Sequence, residues 1–158
     1  MICGAKGSQG EWRRYLMMWK GKEARRVNAE LETFQAEIEP QGPWLPLEAQ
    51  GMLECIHENL FDPELSVKTL RARCGLRDNN VSSRFRWVTG KTIREYIESL
   101  RMEAASFLLR RCDCAVFDVA LSVGYNHPQT FYRAFEKTFD CTPAVYRERF
   151  NDGRGDGG

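Results

Sequence analysis

Two groups of polar side chains, fifty positions apart, have the types and spacing to read hydrogen-bonding patterns on another molecule. Asn79, Ser82, Ser83 and Arg86 fall at i, i+3, i+4 and i+7, which is one face of a helix. Gln129, Tyr132, Arg133 and Glu136 repeat that spacing, with Thr130 beside Gln129 and Lys137 closing the run. An Asn or Gln amide can pair twice with an adenine edge, and the Arg fork can do the same with guanine. Ser and Tyr hydroxyls suit either a base or a phosphate. Asn79, Gln129 and Arg133 are therefore the first candidates for base reading. Arg77, Arg84, Arg86, Lys91 and Lys137 are candidates for phosphate contact. Any amphipathic helix shows a polar face to water, so the surrounding elements have to decide between the two meanings.

Those elements repeat with the same offset. Val81, Phe85, Thr92 and Tyr96 fall on Phe131, Phe135, Thr142 and Tyr146. Each set follows a short helical segment that ends in Gly75-Leu76 or Gly124-Tyr125. Helix, glycine turn, helix is the helix-turn-helix unit, here built twice. Val81, Phe85 and Val88 give the first reading segment its core stripe; Phe131 and Phe135 serve the second.

The periodicity predicts an all-α fold, since nothing alternates with period two long enough to form a sheet. Glu11 to Glu39 has helical spacing. Its Val27, Leu31, Phe34 and Ile38 stripe suits either a short coiled-coil seam for a homodimer or packing on a neighbouring domain. Pro40 to Pro46 is a linker. Helices are expected over Leu47–Leu60, from Ser66 as cap to Cys74, over 79–89 with Gly90 as stop, and over about twenty residues from Thr92 to Arg111. The last of these is roughly 30 Å long. Asp113 or Cys114 is the expected cap of the next helix, which buries Val116, Val119, Ala120 and Val123. Pro128 opens a helix to Thr138, and Thr142-Pro143 opens one to Phe150. The domain reading is thus 1–46 as a helical segment with a linker, 47–150 as the doubled unit, and 151–158 as a disordered tail.

The net charge of +1 hides an uneven spread. Residues 65–150 hold 15 Lys and Arg against 9 Asp and Glu, whereas residues 1–64 hold 7 against 11. The doubled segment is the basic part, as contact with phosphates requires. No stretch approaches the roughly 20 apolar residues of a membrane span, and no secretory signal opens the chain. A cytoplasmic location and no membrane partner are expected. Six cysteines in such a chain point to reduced thiols, with Cys55, Cys74 and Cys141 as small core residues. Cys112-Asp113-Cys114 is the one close pair, and nothing at ligand spacing completes a metal site. No cofactor and no metal are expected.

The motif Val119-Ala120, Val123-Gly124-Tyr125, Thr130-Phe131-Tyr132-Arg133-Ala134-Phe135, Phe139, Thr142-Pro143 and Tyr146-Arg147 resembles the C-terminal DNA-binding domain of AraC/XylS-family transcription regulators. Phe85, Val88-Thr89-Gly90, Tyr96, Arg101 and Ala104 extend the resemblance into the first half, so that it covers about residues 47–150. It implies seven helices in two helix-turn-helix units joined by a long central helix. It also implies double-stranded DNA as partner, with segments 79–89 and 128–138 entering successive major grooves, and RNA polymerase as a further partner in activation. Ser83 stands where a long basic side chain is frequent, Arg84 where an apolar one is usual, and Asp140 where glycine is common. Residues 1–46 are too short for the sensor domain that most members carry, so the expectation for Glu11–Glu39 is a sensor remnant, a dimer contact or a segment that binds another partner.

Two rivals compete with this reading. An enzyme would need an activated cysteine, as in DNA-repair alkyl acceptors with a related domain, and only Cys112 and Cys114 are candidates. With His57 and His127 the sole histidines, no nucleophile and base share a usable spacing; His127 reads as a phosphate contact or helix cap. The second rival is a protein-interaction adaptor that keeps the fold without binding DNA.

Overall fold

A computed structural model describes residues 21–38, 47–75 and 80–152. The expectations for Glu11–Lys20, the Pro40–Pro46 linker, Arg77, Asn79 and residues 153–158 lie outside the described residues. Eight helices and no strand occur among the described residues: α1 (Gly21–Glu37), α2 (Leu47–Glu58), α3 (Val67–Arg73), α4 (Val81–Thr89), α5 (Ile93–Arg111), α6 (Val116–Ser122), α7 (Pro128–Phe139) and α8 (Pro143–Asp152).

Local chemistry sets most of the boundaries. The Ser66 hydroxyl accepts the Thr69 amide, and the Thr69 hydroxyl accepts the Ser66 amide, a capping box that starts α3. Thr92 and Glu95 build the same device at the start of α5. Gly90 ends α4 at φ 74°. Asp140 ends α7 at φ 53° as a non-glycine residue in the left-handed region, which Asp tolerates better than most. Pro128 is in the first turn of α7, where its missing N–H breaks no helical bond.

α5 is the rod around which the rest is built. Ile93, Tyr96, Ile97, Leu100, Ala104, Phe107 and Leu108 are all buried, as the spacing predicts. The first lobe, α2 to α4, packs Met52, Leu53, Ile56, Leu60, Leu70, Val81 and Phe85 into the core. The second lobe, α6 to α8, contributes Val119, Ala120, Val123, Phe131 and Phe135. Phe135 meets Tyr146 edge-on at 5.4 Å and lies 4.5 Å from the Phe139 ring.

Three expectations change. The α1 stripe is not a free seam: Val27 and Leu31 are buried in the common core, and the Phe34 ring packs on Phe61 and Phe107. Polar ties reinforce this docking, since Arg26 donates to the Arg111 carbonyl at 3.0 Å and Gln35 to the His57 carbonyl at 2.9 Å. Of the two roles expected for the stripe, it takes packing within the chain. Next, Cys55 and Cys74 form a disulfide and are not free thiols, because the turn after α2 folds α3 back until their Cα atoms are 6.5 Å apart. Cys112, Cys114 and Cys141 are free. Finally, neither Asp113 nor Cys114 caps α6. Ala115 holds that position without a side-chain bond, and Cys114 turns inward, its carbonyl accepting from Arg147 Nη2 at 2.6 Å.

Candidate nucleic-acid interface

In α7, Phe131, Ala134 and Phe135 face inward, so the 3.6-residue period turns Gln129, Thr130, Tyr132, Arg133, Glu136 and Lys137 to solvent. In α4, Val81 and Phe85 face inward and Ser82, Ser83 and Arg86 are exposed. Every described side chain among the base-reading candidates is therefore accessible. Arg84 and Lys91 are exposed as well, with Lys91 Nζ donating to Ser99 Oγ at 3.3 Å.

Both helices pack on the rod. Lys137 Nζ on α7 lies 3.7 Å from Glu98 Oε1 on α5. Glu95, one turn earlier on α5, feels the positive charges of both Arg86 on α4 and Lys137 on α7. Its carboxyl is held below the usual range first by the Thr92 amide, then by the Thr92 hydroxyl, with those two cations adding to the effect. With Lys137 mostly in water, its pair with Glu98 is weak, and Lys137 can turn to another anion at little cost. Arg94 is exposed on the same rod.

Between the lobes lies a cleft of about 490 Å³, with Leu65, Ser66 and Val67 on one wall, Tyr125, His127 and Thr130 on the other, and Arg94 and Arg101 among the α5 residues lining it. His127 occupies the N-cap position of α7 but makes no side-chain capping bond, so the capping role expected for it is not taken up.

Sequence reasoning missed Trp87, whose side chain is 85% exposed on α4. The signal was present: Phe85 and Val88 point inward, which turns Trp87 out, and the fifty-residue offset matches it with Lys137. The chemistry of the Cys112/Cys114 pair is the reverse of an activated nucleophile. Burial is the first cause that pushes both thiols up, to about 11 for Cys114, whereas a reactive cysteine needs a lowered pKa. Among the described residues, no group of three or more His, Cys, Asp or Glu is placed to hold a metal ion. No described helix is long and apolar enough to cross a membrane.

A family model for a helix-turn-helix domain matches residues 70–149. The regulatory protein SoxS of Salmonella typhimurium is 36% identical over 100 residues, which is 63% of this chain and 92% of SoxS. The transcriptional regulator Rob of the same organism is 36% identical over 90 residues, 57% of this chain and 31% of Rob. Among solved structures, the DNA-binding domain of the global transcriptional factor AdpA, crystallised with a target DNA, superposes with a TM-score of 0.62 at 27% identity, covering 68% of this chain and 98% of that one. The C-terminal domain of the response regulator yesN from Fusobacterium nucleatum gives 0.58 at 26% identity, covering 61% and 93%.

Proposed function

The chain belongs to the AraC-type helix-turn-helix regulators, and on that premise we propose that it regulates transcription by reading two successive major grooves of double-stranded DNA with α4 and α7. The observation that carries this reading is that α4 and α7 both pack on α5 through their apolar faces and leave Ser82, Ser83 and Arg86 on one, and Gln129, Tyr132 and Arg133 on the other, exposed. A rod of 19 residues is about 28 Å long, close to the roughly 34 Å between successive major grooves on one face of a duplex. Gln129, Arg133 and Asn79 are assigned to base edges. Thr130, Tyr132, Ser82 and Ser83 are assigned to bases or phosphates, and Arg86 and Lys137 to phosphates. Residues 47–150 form the DNA-reading domain in this proposal, in the cytoplasm with the chromosome.

Transcription activation through RNA polymerase belongs to the same proposal and rests on the family alone. A homodimer through the Glu11–Glu39 segment would have to use residues other than Val27 and Leu31, which the chain's own core covers.

Selection from a random duplex library tests the reading and yields the motif. The expected result is two conserved half-sites about one helical turn apart. Affinity for the selected site should fall linearly on logarithmic axes as salt rises, by about 0.9 in slope per phosphate neutralised. Absence of duplex binding at low salt would overturn the reading in favour of an adaptor.

A further inference from the structure

Arg101 is buried at the middle of α5, and its guanidinium is held by backbone carbonyls, with the Asp62 charge nearby. Its Nε donates to the Leu60 carbonyl at 2.9 Å, Nη2 to the Asp62 carbonyl at 2.7 Å and Nη1 to the Gly124 carbonyl at 3.0 Å. The Asp62 carboxylate is engaged elsewhere: Oδ2 pairs with Arg73 at 2.7 Å, and Oδ1 accepts the Glu64 amide. The Tyr125 ring centroid lies 5.6 Å from the guanidinium carbon.

The addresses of those three carbonyls are what matter. Leu60 and Asp62 form the turn between α2 and α3, in the first lobe. Gly124 is the turn between α6 and α7, in the second. One planar fork on the rod therefore grips both turns at once, directly beneath the cleft that separates the lobes. Gly124 is fitted to the approach, since a Cβ there would stand 2.9 Å from Cζ and Nη2 of Arg101. Arg is the side chain suited to this, because its five donors have a fixed geometry that the single ammonium of Lys lacks.

We propose that Arg101 is the positioning residue that sets the orientation of the two lobes, and through it the half-site spacing that the protein accepts. The proposal rests on the reading of α4 and α7 as the two DNA-reading helices. A rigid junction lets the second lobe bind at high effective concentration once the first is seated, but only on sites of matching spacing. A loosened junction accepts more spacings and gains less from having two lobes.

Two measurements on the full chain test it. The first needs no DNA: labels carried by unnatural amino acids at Ser83 on α4 and Glu136 on α7 report the distance distribution between the lobes. Wild type should give one narrow distribution, and Arg101→Lys a broadened one, while circular dichroism stays helical. The second compares duplexes of varied half-site spacing. Arg101→Lys should accept several spacings and bind the composite site about tenfold more weakly, with affinity for a duplex carrying only the second half-site unchanged. A narrow distance distribution in Arg101→Lys would overturn the proposal, and so would equal loss on composite and single half-sites. Should Arg101→Lys not fold, Arg101→Gln takes its place; failure of both to fold would make Arg101 a general stability residue and likewise overturn it. If wild type selects no duplex, the DNA reading fails while the distance measurement still decides the role of Arg101.

Discussion

Arg133 is an exposed guanidinium on the outer face of α7, backed by Phe131 and Phe135, which are fully buried and hold the helix in one rotation. A bidentate contact from such a side chain carries discrimination as well as affinity. Arg133→Ala should cost about 1–3 kcal/mol on the selected site and relax the preference at one base pair. Binding assays on the selected site and its single-base variants check this, and equal loss on every sequence would make Arg133 a phosphate contact. His57 is a residue of the opposite kind, half-buried, stacked on Tyr96 and hydrogen-bonded to its hydroxyl at 2.9 Å. Burial lowers its pKa below the ordinary 6.5. On acidification the unfolded chain then takes up a proton at this site before the folded chain does, so the contribution of this site to stability falls as pH drops through about 6.5 and is level above it. Melting at about pH 7.5 and about pH 5.5 should show a smaller loss in His57→Gln than in wild type. Which residues face outward was legible, because Phe131 and Phe135 fix the rotation of α7 by period alone. The His57–Tyr96 contact was not, since it joins positions 39 apart on two different helices.

Helix boundaries depend on a few side-chain bonds, and these were largely readable because capping is local. Ser66, Thr92, Gly90 and Pro128 act where their chemistry predicts. Thr92→Ala removes the hydroxyl that accepts the Glu95 amide and should lower stability by about 1 kcal/mol, measurable by urea denaturation; no change would mean that the Glu95 carboxylate satisfies this end alone. Cys114 shows where local reasoning stops. Its place before a helix suggests a cap, but tertiary packing draws it under Arg147. The Cys55–Cys74 bond escaped for a related reason, as only the folding-back of α3 on α2 joins them. Closing a loop over a separation of 19 residues restricts the unfolded chain by about 3 kcal/mol, so melts with and without a reductant should differ by about that much. Phe135→Ala empties the centre of an aromatic cluster that includes Phe131, Phe139 and Tyr146. The expected loss is about 3–5 kcal/mol; an unchanged thermal melt would show that the cluster repacks around the cavity.

At the scale of the whole molecule, the lobes, the rod and α1 share one continuous core, with Val27 and Leu31 in the same cluster as Leu108 and Phe135. The doubling of the lobes was legible as a repeat, and the rod as an uninterrupted helical stripe. The partner of the α1 stripe was not, because an apolar face has the same spacing whether it meets another copy or its own chain. Its destination follows from what α5 leaves uncovered: Phe107 and Arg111 lie at the end of the rod, where Phe34 packs on the first and Glu30 pairs with the second at 3.4 Å. Docking within the chain and pairing between chains predict different responses to one substitution. Leu31→Ala removes a buried side chain from the common core and should destabilise the protein by about 2–5 kcal/mol. Sedimentation should give the same mass for the variant and wild type, and the melting temperature of each should not depend on protein concentration. A dimer seam would reverse both signs: mass would drop in the variant, and the wild-type melting temperature would climb with concentration by mass action.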